Sequence, residues 1–168
     1  HGGHVTTRLA VELLLAGPTP PGPRVLDVGC GSGVLAIAAA RLGAVSVVGV
    51  DVDPSALVAT AGNAAINGVR VHLLSSIDSV VVGEADLVIA NIEASVLVAL
   101  ASGLVAAMAP GGRLILSGFL EERAGEVSEA MSAAASRGPH TPLTEVERRV
   151  EDVWAAVELM RDSPVLSR

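Results

Sequence analysis

Short, nearly unbroken runs of Val, Leu and Ile alternate along the chain with longer Ala-rich stretches whose apolar positions recur at helical spacing. Runs of strand length with apolar residues at both odd and even positions suit strands buried on two faces, as in a parallel sheet. Five such runs are Arg24 to Val28, Ala44 to Val50, Val69 to Leu74, Ala85 to Ala90 and Arg113 to Ser117. The stretches around and between them predict helices over Thr7 to Ala16, Val34 to Leu42, Asp53 to Asn67, Ala94 to Met108 and Glu121 to Ser136. Asp53 followed by Pro54 is a capped helix start. The Pro-rich connector Gly17 to Pro23 and the Pro110-Gly111-Gly112 run are helix stops. The tail differs. Leu143 to Val150 and Val153 to Met160 alternate apolar with polar across Glu151-Asp152, which predicts a hairpin closing one edge of the sheet. The whole reads as an α/β protein, a Rossmann-like three-layer αβα sandwich.

At 168 residues the chain fits one domain, residues 1–168, with one sizeable core. Ala, Val and Leu dominate, with one Phe, one Trp and no Tyr, so the core must be aliphatic. The Lys-free, Ala-, Val- and Arg-rich composition suggests a bacterial source of high GC content. A net charge of −7 argues against a surface that tracks the phosphates of a nucleic acid. No apolar run free of breakers reaches the roughly 18 residues of a membrane span, and a lone Cys makes no disulfide framework. No charged leader precedes an apolar stretch, so a cytoplasmic protein is expected. The sequence starts at His1 and not at Met, and an upstream extension is expected.

The sharpest chemical signal is Asp27-Val28-Gly29-Cys30-Gly31-Ser32-Gly33, directly behind the first strand. Glycines let such a turn bend tightly and approach a ligand closely, and the helix that follows presents unpaired N–H groups. A dinucleotide loop would need a glycine at position 34, where Val34 stands. Asp27 would repel a diphosphate but suits a ligand ammonium. Asp51, eighteen residues beyond Gly33 at the end of the second strand, sits where a carboxylate accepts hydrogen bonds from ribose hydroxyls. Together they point to S-adenosylmethionine. Cys30 reads as a small residue fitted to the turn and not as a nucleophile. The four His residues lack the spacing of zinc ligands, and no metal site is expected.

Further motifs make the pattern specific. Gly2-Gly3-His4-Val5-Thr6-Thr7, the run Leu26 to Ala40, Gly49-Val50-Asp51-Val52-Asp53-Pro54, Asn63-Ala64, Asn67-Gly68-Val69, Ala90-Asn91-Ile92, Pro110-Gly111-Gly112 and Leu116-Ser117-Gly118 follow in order. In this the chain resembles the bacterial ribosomal protein L-eleven methyltransferases, the PrmA family. The resemblance implies that Thr7, Gly29, Asp51 and Asn91 contact S-adenosylmethionine, with S-adenosylhomocysteine as product. Asp27, Gly31, Gly33 and Val52 complete the expected cofactor set. It also implies a mostly parallel seven-stranded sheet whose last strand is antiparallel. In the family, a smaller substrate-recognition domain precedes the catalytic one.

Methyl transfer from a sulfonium is an in-line displacement, for which positioning supplies roughly 7 to 11 kcal/mol. Asn91, at the end of the fourth strand, is the candidate catalytic residue beside the reactive methyl. The Asn-Pro-Pro-Tyr run of amide and adenine methyltransferases is absent, since Ile92 follows Asn91. Glu93 departs from the family's apolar run. It is a candidate for pairing with a cationic substrate amine or taking its proton, set against a plain role as an acid at a helix N-terminus. His4, expected in a loop folding over the cofactor, is a candidate substrate contact. The leading acceptor is an amine on a protein, the ribosomal protein by resemblance. A small molecule of secondary metabolism, methylated on N or O, is the alternative. A binding module without catalysis ranks lower, given the intact loop, Asp51 and Asn91.

Overall fold

The structure, a computed structural model, describes residues 2–17, 20–138 and 141–163, with only the backbone described for residues 2–4. Helix α1 spans Gly2–Ala16, strand β1 Arg24–Val28, α2 Val34–Arg41, β2 Ser46–Val50, α3 Pro54–Ile66 and β3 His72–Leu74. Strand β4 (Ala85–Asn91), α4 (Ala94–Ala107), β5 (Met108–Leu120), α5 (Ala124–Arg137), β6 (Leu143–Glu151) and β7 (Trp154–Arg161) complete it.

One seven-stranded sheet runs in the order β3-β2-β1-β4-β5-β7-β6. The β1–β2, β2–β3, β1–β4 and β4–β5 pairs are parallel, and β7 is antiparallel to both β5 and β6. The predicted hairpin is therefore present, with β7 inserted beside β5 and β6 forming the outer edge.

Neighbouring residues along each strand serve opposite faces, which is why the strands read as continuous apolar runs. Val25, Leu87, Ile89 and Ile115 pack with Leu9, Leu13, Leu35 and Ala39 of α1 and α2. Leu26, Val88, Leu114 and Leu116 pack with Leu97, Leu104, Val127 and Met131 of α4 and α5. Three layers follow directly. Arg113 is the largest exception to the aliphatic core. It is 2% exposed, with Nε donating to Glu158 Oε1 at 2.6 Å and Nη2 to the Leu13 carbonyl at 2.8 Å. It ties β5, β7 and the end of α1 together. Gly17 lies so close that an added Cβ would fall 2.0 Å from that guanidinium.

Several boundaries differ from the sequence reading. The Gly2 to Thr6 stretch, expected as a loop, is the first turns of α1. β3 is only three residues long, an edge strand pairing with Val48 to Val50 alone. α4 ends at Ala107, and β5 already begins at Met108, opposite Ala85. Between the Ala85–Met108 and Leu87–Arg113 pairs the strand bulges through Pro110 and Gly111, so the expected helix stop lies inside a strand excursion. The predicted fifth helix opens with a 3-10 turn at Glu121–Arg123.

From β1 the chain steps outward to β2 and β3, then returns to the other side of β1 as β4. Where the order reverses, the loops behind β1 and β4 part and leave a crevice at the carboxyl ends of the strands. Gly29 follows β1 there and Asn91 closes β4.

Candidate functional site

At that crevice the chain leaves β1 through three glycines, all with positive φ: Gly29 (73°), Gly31 (56°) and Gly33 (85°). They differ in what surrounds them. A Cβ on Gly29 would lie 2.3 Å from Ile92 Cγ2, and one on Gly33 would lie 2.8 Å from Thr60 Cγ2. On Gly31 it would meet nothing nearer than the Gly29 carbonyl at 4.0 Å and would project into open space. Glycine at positions 29 and 33 is thus demanded by packing and backbone conformation, whereas beside position 31 the protein leaves open space.

Two cavities flank the turn and share Gly29. One of about 190 Å³ is lined by Thr7, Asp27, Gly29, Gly31 and Asn91. Asp27 is only 1% exposed, and Oδ2 accepts from the Ala36 N–H in the first turn of α2 at 3.0 Å. Burial, opposed by that hydrogen bond and reinforced by the Asp51 charge, raises its pKa from 3.8 to about 7. No described cation pairs with it, so its electrostatics suit a positively charged group entering the cavity.

The other cavity, of about 370 Å³, is lined by Gly29, Asp51, Val52, Ile77, Asp78 and Ile92 among others. Asp51 Oδ2 accepts from Gly31 N–H at 2.9 Å and Oδ1 from Asp53 N–H at 3.0 Å, which fixes the carboxylate and leaves each oxygen a further lone pair. Val52 is 86% exposed at its rim. Asp53 caps α3 as expected, accepting from the Ser55 hydroxyl and from Ser55 N–H, each at 2.8 Å, and these bonds, the hydroxyl's foremost, hold its carboxyl below the usual range.

Asn91 faces the first cavity. Its Nδ2 donates to Thr7 Oγ1 and its Oδ1 accepts from Ser117 Oγ, both at 3.0 Å, so β4 is laced to α1 and β5 at this point. Glu93 does not join it. It is exposed at the N-cap position of α4, makes no side-chain cap bond, and lines a separate groove of about 260 Å³ with Gly118, Glu122, Arg123 and Trp154. The His4 side chain lies outside the described residues. Cys30 is buried beside Thr60, and burial pushes its thiol pKa up, which leaves it unsuited to nucleophilic work. No described His, Cys, Asp and Glu residues cluster as metal ligands.

Sequence reasoning missed Ser117, Thr60 and the Ile77–Asp78 rim. Ser117 is completely buried inside an apolar strand, and a polar residue in such a run is the signal that would have found it. Thr60 stands out in the same way within Ala-rich α3.

A loop with a buried acid, unpaired among the described residues, on one side and a carboxylate fixed by two backbone N–H groups on the other has the charge pattern expected of a site for an adenosyl amino acid. Residues 1–155 match the family model described as ribosomal protein L11 methyltransferase (PrmA). A protein of that name from Symbiobacterium thermophilum is 44% identical over 161 residues, covering 95% of this chain and 50% of the relative. Another, from Geobacter sulfurreducens, is 51% identical over 128 residues, 76% of this chain and 42% of the relative. The crystal structure of a ribosomal protein L11 methylase from Lactobacillus delbrueckii subsp. bulgaricus superposes with a TM-score of 0.85 at 30% identity, covering 96% of this chain and 81% of that one. The chain spans about half the length of the curated relatives it matches. Cavities, glycine turn and sequence agree: the chain belongs to the ribosomal protein L11 methyltransferase (PrmA) family.

Proposed function

We propose that residues 1–168 form the catalytic domain of an S-adenosylmethionine-dependent methyltransferase that methylates an amine nitrogen of a ribosomal protein. The observation that carries this is the pair of cavities meeting at Gly29, with buried Asp27 in one and Asp51 in the other. Asp27 would hold the ammonium of the methionine end, Asp51 the ribose hydroxyls, and Gly31 the approach between them. When bound, S-adenosylmethionine supplies an activated methyl on sulfur. The chain's own part is geometric. Thr7, Asn91 and Ser117 form one hydrogen-bonded row that sets the floor of the methionine cavity. Ile92 fills the space over Gly29 and lines the larger cavity.

The acceptor amine must be neutral to attack, and an aqueous route suffices for its proton. In the adjoining groove Glu93 and Glu122 outnumber Arg123, which is itself paired with Glu126, and this negative balance favours a cationic side chain before it deprotonates. The net charge of −7 supports a basic protein partner over a nucleic acid, and a ribosomal substrate places the reaction in the bacterial cytoplasm.

Calorimetry with S-adenosylhomocysteine and NAD tests the cofactor, and intact-mass spectrometry of ribosomal protein L11 after incubation with S-adenosylmethionine tests the acceptor. Heat with S-adenosylhomocysteine alone, followed by methyl increments on the protein, is the expected pair of results. E93Q should raise KM for the protein acceptor about tenfold, the scale of one charge-assisted contact, with S-adenosylhomocysteine affinity unchanged. Unchanged acceptor kinetics would remove Glu93 from recognition.

A further inference from the structure

Asn63 of α3 and Asn67, which caps its C-terminus, belong to the motifs that carry the family resemblance, yet neither lines the cavities described above. Their contacts, with those of Thr60, go to the glycine turn. Thr60 is completely buried, and its hydroxyl donates to the Gly31 carbonyl at 2.9 Å. That commits its single proton, so the Cys30 thiol, 3.5 Å away, is the donor in the Cys30–Thr60 contact. One turn further on, Asn63 Nδ2 donates to the Ser32 carbonyl at 2.8 Å. Asn67 Nδ2 in turn donates to the Asn63 carbonyl at 2.8 Å and closes the end of the helix beneath it. The Gly33 backbone rests against Thr60 Cγ2.

The start of the same helix holds the other half of the site. Asp53 caps α3 through Ser55, and its own N–H donates to Asp51 Oδ1. Asp51 Oδ2 then accepts from Gly31 N–H. Gly31, beside which the protein leaves open space, is therefore gripped twice. Its N–H is held through the Asp51–Asp53 corner at the start of α3, and its carbonyl is held by Thr60 from the body of α3.

We infer that Thr60 and Asn63 are positioning residues for the cofactor: α3 is a strut that fixes the glycine turn and the sugar-facing carboxylate as one rigid unit. This rests on the methyltransferase reading for the identity of the ligand, but the strut itself is a property of the free chain. T60V keeps the buried shape and removes the hydroxyl. T60S restores it. N63A removes the second grip at a part-exposed position where folding is not at stake.

The experiment measures S-adenosylhomocysteine affinity by calorimetry, amide hydrogen exchange at Gly31 in the ligand-free chain, and melting temperature for all four proteins. T60V is expected to bind about tenfold more weakly, the equivalent of one lost hydrogen bond, with faster Gly31 exchange. T60S should stay near wild type. N63A should bind about threefold more weakly at an unchanged melting temperature, the smaller effect of a part-exposed bond, and it decides the matter if T60V does not fold. Wild-type affinity and Gly31 protection in both T60V and N63A would overturn the strut, as would T60S binding as poorly as T60V. A wild-type chain with a protected Gly31 amide that takes up no S-adenosylhomocysteine would refute the cofactor reading instead.

Discussion

Asp27 is a carboxylic acid that the fold holds at the wrong side of its ordinary ionisation, and the D27N substitution should expose the consequence. Burial raises its pKa from 3.8 to about 7. At about 1.4 kcal/mol per pH unit, ionising this group inside the ligand-free chain costs about 4 kcal/mol more than in the unfolded one. Below about pH 4, the ordinary range of an aspartate, both states carry the proton and the side chain has no linkage effect. As pH rises from there towards 7 the folded chain keeps its proton while the unfolded chain releases it, so the wild type loses stability along that interval. Above the folded pKa the loss is complete. The amide in D27N never ionises and can still accept from Ala36 N–H. It should match the wild type in acid and exceed it by up to about 4 kcal/mol above pH 7.

Urea denaturation of both proteins across that pH range at fixed ionic strength gives the difference directly. The binding counterpart runs the other way if, as proposed, Asp27 meets the ligand ammonium, because that cation is absent in the free chain. S-adenosylhomocysteine should bind D27N about tenfold to a hundredfold more weakly, the worth of a hydrogen bond to a charged group. Wild-type affinity should climb as pH approaches 7. A stability difference that stays flat with pH, or one that favours the wild type at high pH, would refute the buried-acid account.

Two glycine substitutions separate packing from ligand access. G29A drives a methyl into Ile92 and should destabilise the chain by about 2 to 4 kcal/mol in urea titrations, the range of overpacking plus an unfavourable φ. G31A meets open space, so its cost should be about 1 kcal/mol, while S-adenosylhomocysteine binding falls at least about tenfold, the scale of one lost polar contact. R113M strands Glu158, which is 3% exposed, and should cost about 3 to 5 kcal/mol in thermal or urea unfolding. The R113M/E158L pair should recover most of that, and equal loss in single and double variants would show that the bond to the Leu13 carbonyl matters more.

The elements were legible where one local rule decides them. Buried parallel strands are continuous apolar runs and Asp53-Pro54 is a cap; the hairpin lies where the sequence predicts it, but β7, expected to alternate, is buried on both faces because it lies between β5 and β6. Boundaries failed where tertiary pairing overrides local pattern. Met108 has good helical neighbours on one side and reads locally as the end of α4, but its pairing with Ala85 draws it into β5 ahead of the Pro110–Gly111 bulge. Val69 and Val71 look like strand residues, yet β3 pairs only from His72 onward. In the site, the glycine turn and both carboxylates stood out because close approach and charge demand particular residue types. Thr60 and Ser117 stood out only as hydroxyls inside apolar elements, a signal that marks a buried partner without saying that it lies 29 or 26 residues away.

This division reaches into function. The cofactor half of the crevice is built from backbone: the reversal of strand order, three positive-φ glycines, and N–H groups that hold Asp27 and Asp51. Backbone geometry admits few residue types, so the sequence announces the ligand. The groove proposed for the acceptor is lined by side chains just behind β4 and β5 and at the start of β7, among them Glu93, Glu122, Arg123 and Trp154. None of these holds a strained backbone or a buried polar bond that the fold needs, so any of them can change without unmaking the sheet. The proposed cofactor site is therefore tied to the architecture, whereas the groove at Glu93, if it receives the acceptor as proposed, is lined by a few replaceable side chains.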